Sequence, residues 1–129
     1  MKQNQTKMIF MRDCQRGEYT GIGPDYSDDE LLILEELFSS FIGGDPTSVF
    51  KRRRWMEGDN VCVGGNLLGS YVIDGKIHIY HDYVPNLKEP VLTKEELLAL
   101  VDRWLQLVAV KTERIVITND DGKFSIGAE

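Results

Sequence analysis

The run Tyr71-Val72-Ile73-Asp74-Gly75-Lys76-Ile77-His78-Ile79-Tyr80 constrains the fold more than any other stretch of the chain. Two β-favouring segments meet at Asp-Gly. A two-residue type I′ turn needs positive φ at both central positions, which Asp tolerates and Gly adopts freely. Such a turn fixes the register: Ile73 opposite Lys76, Val72 opposite Ile77, Tyr71 opposite His78, Ser70 opposite Ile79. Side chains alternate between the two faces of a strand. Val72, Ile77 and Ile79 are therefore expected on a face turned towards helices, and Tyr71, His78 and Tyr80 on the other.

Two principal helices are written just as clearly. Ser27-Asp28-Asp29-Glu30 has the pattern of a capping box, with carboxylates at the positive end of the helix dipole. Leu31, Leu34, Phe38 and Phe41 follow at helical spacing, joined by Leu37 and Ile42, until Gly43-Gly44-Asp45-Pro46 stops the helix. Thr93-Lys94-Glu95-Glu96 opens the other, which carries Leu97, Val101, Trp104, Leu105 and Val108 on one stripe as far as Val110. A shorter helix is expected over Thr47–Arg54, ending in the basic run Lys51-Arg52-Arg53-Arg54. Strands are expected at Met8–Met11 and Val61–Val63, a glycine-rich connection at Gly17–Pro24, and a loop around Pro85 and Pro90. A second hairpin, Arg114–Thr118 with Lys123–Ile126, is expected to close on the looser loop Asn119-Asp120-Asp121-Gly122. Strands grouped rather than alternating with helices define an α+β class, a mainly antiparallel sheet with two principal helices packed on one face. No repeat or linker divides the 129 residues, so a single domain spanning 1–129 is expected.

A formal net charge of −6 argues against general nucleic-acid binding, which needs excess Lys and Arg to displace counterions. No segment approaches the roughly 20 apolar residues that cross a bilayer. The apolar run after the first residues is too short for a signal peptide. A cytoplasmic location is expected, with Cys14 and Cys62 as free thiols.

Each chemical motif fails on spacing. His78, His81 and Asp82 suggest a metal site, but residues three apart on a strand face opposite sides. Asn119–Gly122 lacks the alternating ligands and terminal Glu of a calcium loop. Gly21-Ile22-Gly23-Pro24 is no phosphate-binding fingerprint. Lys51–Trp55 sets cations beside an aromatic, as nucleic-acid sites do, but six acidic residues between Asp28 and Asp45 oppose it. Cys14, between Asp13 and the nearby Arg16, has no identifiable partner base. No catalytic residue, metal ligand or cofactor is therefore assigned. The candidate partner-binding residues are Asp28, Asp29 and Glu30, whose field would steer a basic partner, with Tyr71, His78 and Tyr80, side chains that bury much area at little entropic cost.

In its plan the chain resembles the immunity proteins of bacterial polymorphic and contact-dependent toxin systems. The likeness rests on the Ser27–Ile42 helix, the Tyr71–Tyr80 hairpin, and the Thr93–Leu98 helix start with Trp104 running into Arg114–Thr118. It is one of organisation and carries over no residue roles. The resemblance implies a non-catalytic protein that neutralises a cognate toxin, often a basic nuclease, by direct contact. From the residues themselves no cofactor and no membrane are expected, a nucleic-acid partner is disfavoured by the charge, and a homo-oligomer is compatible with the sequence. The alternative is a small hydrolase or ligand-binding enzyme whose residues come from scattered loops.

Overall fold

The computed structural model describes residues 5–58 and 67–129. The order is β1 (Gln5–Arg12), β2 (Tyr19–Pro24), α1 (Asp29–Glu36) running into a π-helical segment (Leu37–Ile42), α2 (Pro46–Met56), β3 (Leu68–Ile73), β4 (Lys76–His81), β5 (Val91–Thr93), α3 (Lys94–Ala109), β6 (Arg114–Asp120) and β7 (Lys123–Ala128). Every strand pair is antiparallel, and the fold is α+β. The strands form two sheets, ordered β2-β1-β6-β7 and β3-β4-β5, the smaller inserted in the chain between β2 and β6 of the larger. The expected Val61–Val63 strand and Cys62 lie outside the described residues. Among the described residues no helix is long and apolar enough to cross a membrane.

Both hairpins close on Asp-Gly with positive φ at both positions: 53° and 75° at Asp74-Gly75, 52° and 91° at Asp121-Gly122. The second loop is thus as tight as the first, and the strands run on to Asp120 and Lys123 instead of stopping at Thr118. The glycine-rich segment after Glu18 is also not mere connection. Tyr19–Pro24 pairs with β1 as an edge strand. Gly21 is required there because a Cβ would meet the Glu35 side chain at 2.5 Å, and a close approach of this kind is what glycine in a strand provides.

The first helix starts one residue later than the capping-box pattern suggests. Asp28, not Ser27, is the N-cap, its Oδ1 accepting from the Leu31 N–H at 3.0 Å. Glu30 turns inwards instead of reaching back to the cap, as described below. After Glu36 the helix widens. The Gly43 N–H donates to the Phe38 carbonyl at 2.9 Å, a five-residue reach, and Ser39 Oγ donates to the Glu35 carbonyl at 2.6 Å. Leu37, Phe38 and Ile42 are buried as a result. Pro46 at the first turn and Asp45 as N-cap then start α2.

A single apolar cluster joins both sheets and all three helices. Trp104 of α3 is at its centre, fully buried, with the rings of Phe10, Tyr19 and Phe38 at 5.2, 5.3 and 4.9 Å. Its indole N–H donates to the Gly43 carbonyl at 2.7 Å. A Trp104→Phe substitution keeps most of the ring packing and removes that donor. It is expected to lower stability by about 1–3 kcal/mol, the cost of an unsatisfied buried group. Urea unfolding followed by the fluorescence of Trp55 measures it, and an unchanged midpoint would show that the bond contributes nothing net.

Candidate functional site

The hairpin register is as the turn dictates, with Tyr71 opposite His78 and Val72 opposite Ile77. Extending it through β5 sets Val91 opposite His78. One face of the small sheet therefore carries Tyr71 and Ile73, then His78 and Tyr80, then Val91. The other face turns Leu68, Ile77, Ile79 and Leu92 into the core. Val72 is the exception on that inner face, at 47% exposure. The helices contact β4 and β5, whereas β3 is the edge strand of the described sheet, so Val72 lies beyond their cover although Ile77 opposite it is buried.

The outer face is a stack of rings. Tyr71 and His78 are parallel, 8° between planes and 4.8 Å between centroids, and Tyr80 lies 6.0 Å from Tyr71. Gly69, opposite Tyr80, makes room for it: a Cβ there would come within 2.3 Å of the phenol. Glu89, from the loop between β4 and β5, accepts from the Tyr71 hydroxyl at 2.6 Å and stands 3.8 Å from His78 Nδ1. The hydrogen bond to Glu89 is the main cause that holds the Tyr71 phenol above its ordinary pKa of 10.0. Tyr71 and Ile73 nevertheless remain 40% and 52% exposed, so the face is ordered and open together.

The acidic start of α1 forms a second cluster. Asn119 on β6, buried, donates through Nδ2 to Asp28 Oδ2 and Glu30 Oε1, each at 3.1 Å. Thr6 also donates to Asp28. Glu30 is only 8% exposed and pairs with Lys88 Nζ at 3.7 Å. Asp29 accepts from the Lys88 backbone N–H at 3.0 Å. The three carboxylates are thus engaged in internal bonds, and Asp29 and Glu30, through Lys88, hold the loop that carries Glu89. The structure gathers Asp28, Asp29 and Glu30 in one place and Tyr71, His78 and Tyr80 in another, with Lys88 and Glu89 as adjacent links between them. No pattern in the sequence pointed to Glu89, since it approaches the stack from a proline-flanked loop.

The remaining candidates have structural duties. His81 Nδ1 accepts from the backbone N–H groups of Tyr83 and Val84, at 3.1 and 3.0 Å, on the side away from His78. Among the described residues no three His, Cys, Asp or Glu side chains gather to hold a metal ion. In the basic run, Arg53 pairs with Asp102 and Glu57, while Arg52 stacks between Phe41 and Trp55 at 4.9 and 4.5 Å. Cys14 is an exposed free thiol beside a turn that Asp13 closes by accepting from Gln15 and Arg16, bonds that hold its carboxyl below the usual range. No family, no curated protein and no solved structure matches this chain.

Since the neutral phenol is the form that donates to Glu89, this contribution is complete below the ordinary tyrosine pKa and is lost as pH rises through the raised value. Glu89→Gln is expected to bring one tyrosine's midpoint down towards 10 in an ultraviolet titration at high pH. A titration curve identical to that of the parent protein would mean the bond is not made in solution.

Proposed function

We propose that the chain is a non-catalytic binding protein, and that it neutralises a cognate toxin inside a bacterial cell through the outer face of its three-stranded sheet. The observation that supports this reading is the open ring stack of Tyr71, His78 and Tyr80, held in place before any partner arrives. Preorganised aromatic groups are the usual anchors of protein interfaces, because little side-chain entropy is lost when they are buried. The apolar contribution extends to Ile73 and Val91 on the same face, and Tyr83 in the adjoining loop is 71% exposed. Scattered exposed apolar residues need no explanation, but a contiguous group of them does.

The charge of the chain supports a basic partner. The net charge is −6, and the ring stack has Asp74 at one end and Glu89 beside its centre. In this reading Asp28 and Asp29 contribute to the field and steer association, whereas Glu30 acts mainly by anchoring Lys88 next to Glu89.

The experiment sequences the gene immediately upstream and co-expresses this chain with the toxic domain that the proposal expects there; an upstream gene without one would reject the toxin reading. Growth is expected to be restored by the native chain and lost with Tyr71→Ala combined with Tyr80→Ala, while circular dichroism shows the variant folded. Truncating two interface tyrosines is expected to weaken the complex by about 2–4 kcal/mol in calorimetry. Rescue that is undiminished in the double variant would reject this face as the contact, and hydrolysis of an ester or phosphate substrate by the purified protein would reject the binding reading itself.

A further inference from the structure

A groove of about 470 Å³ opens where the edges of the two sheets approach across α3. Leu92 and Leu100 form its buried floor, and the half-buried Phe124 and Ile126 line the β7 side. β7 is the last strand of the larger sheet and β5 the last of the smaller one, so among the described residues both bordering strands have one unpaired side.

The phase of the hydrogen bonds identifies the groups left open. In an antiparallel pair, facing residues alternate between those that exchange both backbone bonds and those that exchange none. The Glu129 N–H donates to the Arg114 carbonyl, which places the bonded pairs at 116 with 127, 118 with 125 and 120 with 123. The backbone N–H and C=O groups of Phe124 and Ile126 consequently point away from β6, off the open edge. On β5 the Ile79 N–H bond to the Pro90 carbonyl sets the same alternation and leaves the Val91 groups outward. An apolar recess beside free backbone donors and acceptors has the features of strand-addition sites, where main-chain bonds give affinity and pockets for alternate side chains give specificity.

The charges on the rim select the occupant. Glu96 is engaged with the Thr93 N–H, and Arg103 donates to the amide oxygen of Gln106. Among the described residues neither Arg103 nor Lys123 has a carboxylate partner. A second copy of β7 would bring another Lys123 to this cationic rim, whereas an acidic segment would neutralise it. We propose that the groove takes an extended, acidic segment of a partner protein, with apolar side chains at alternate positions, as an additional strand on β7. This site is separate from the ring stack, although Val91 borders both, and it stands or falls independently of the toxin reading.

The test is NMR titration of the ¹⁵N-labelled chain with the synthetic peptide Glu-Val-Thr-Val-Thr-Val-Glu. Shifts are expected at Val91, Phe124 and Ile126, with hydrogen exchange at the Phe124 and Ile126 amides slowed by about tenfold, as a ladder bond of ordinary strength requires. The Arg103→Glu, Lys123→Glu double variant, altered only at exposed positions, is expected to weaken binding by about tenfold or more. A peptide N-methylated at alternate amides is expected not to bind. No shifts up to about 1 mM peptide, the weak limit of specific association, would overturn the proposal. So would equal binding of the N-methylated peptide, or shifts confined to the Tyr71 face. Concentration-dependent dimers giving the same shifts without peptide would make a second copy the occupant and equally overturn it.

Discussion

The bond from the Trp104 indole to the Gly43 carbonyl is the constraint on which the rest of the architecture depends. An indole N–H cannot enter an apolar core unpaired without a cost comparable to a lost hydrogen bond. Gly43 supplies the acceptor at the point where the π-helical segment ends, in a backbone conformation with φ of +82° that other residues rarely adopt. The widened turn and the tryptophan thus explain each other. With Trp104 fixed, α3 is placed against Phe10 of β1, Tyr19 of β2 and Phe38. Thr93 is both the last residue of β5 and the N-cap of α3, so placing the helix also places the strand before it. From β5 the register carries to β4 and the hairpin, and so to the aromatic face.

That face owes its order to a second, weaker set of contacts. The Lys88–Glu30 pair has a largely exposed ammonium, and such pairs contribute little to stability. Its value is positional. Together with the Lys88 N–H bond to Asp29 it pins the loop by its backbone, and Glu89 is then delivered to Tyr71 with little remaining freedom. A surface loop is in this way made into a support for the ring stack, by Asp29 and by Glu30, whose carboxylate accepts from the buried amide of Asn119.

What could be read from the sequence follows the range of the interactions involved. The Asp74-Gly75 turn is a local signal, and the register and the separation of Tyr71, His78 and Tyr80 from Ile77 and Ile79 came directly from it. Asp121-Gly122 carried the same signal, obscured by the polar residues before it. The strand Tyr19–Pro24 was hidden because its glycines serve contacts with Glu35 and Tyr26, which are distant or lie outside the strand. Alternation places Val72 on the core face with Ile77, but it gives only the face of a strand and says nothing of which strands the helices cover. Glu30 and Glu89 could not be placed by spacing at all. Their partners lie across the fold, and only tertiary packing brings them together.

The edge strand β3 makes the strongest physical case that the small sheet has a purpose beyond the fold. Val72 and Ile73 are neighbours on opposite faces, and both are about half exposed. Neither is needed by the core, which is closed by Ile77, Ile79, Leu68 and Leu92. The hairpin is braced up to its turn, because β5 pairs with Lys76, Ile77 and His78 and both turn residues have the positive φ of a type I′ turn. Were stability alone at issue, polar residues at 72 and 73 would serve as well and would reduce the hazard of an exposed apolar edge. An edge strand that is apolar on both sides near its turn, in a sheet aromatic along one face, is suited to lie against another protein, where those residues would lose the water they now face.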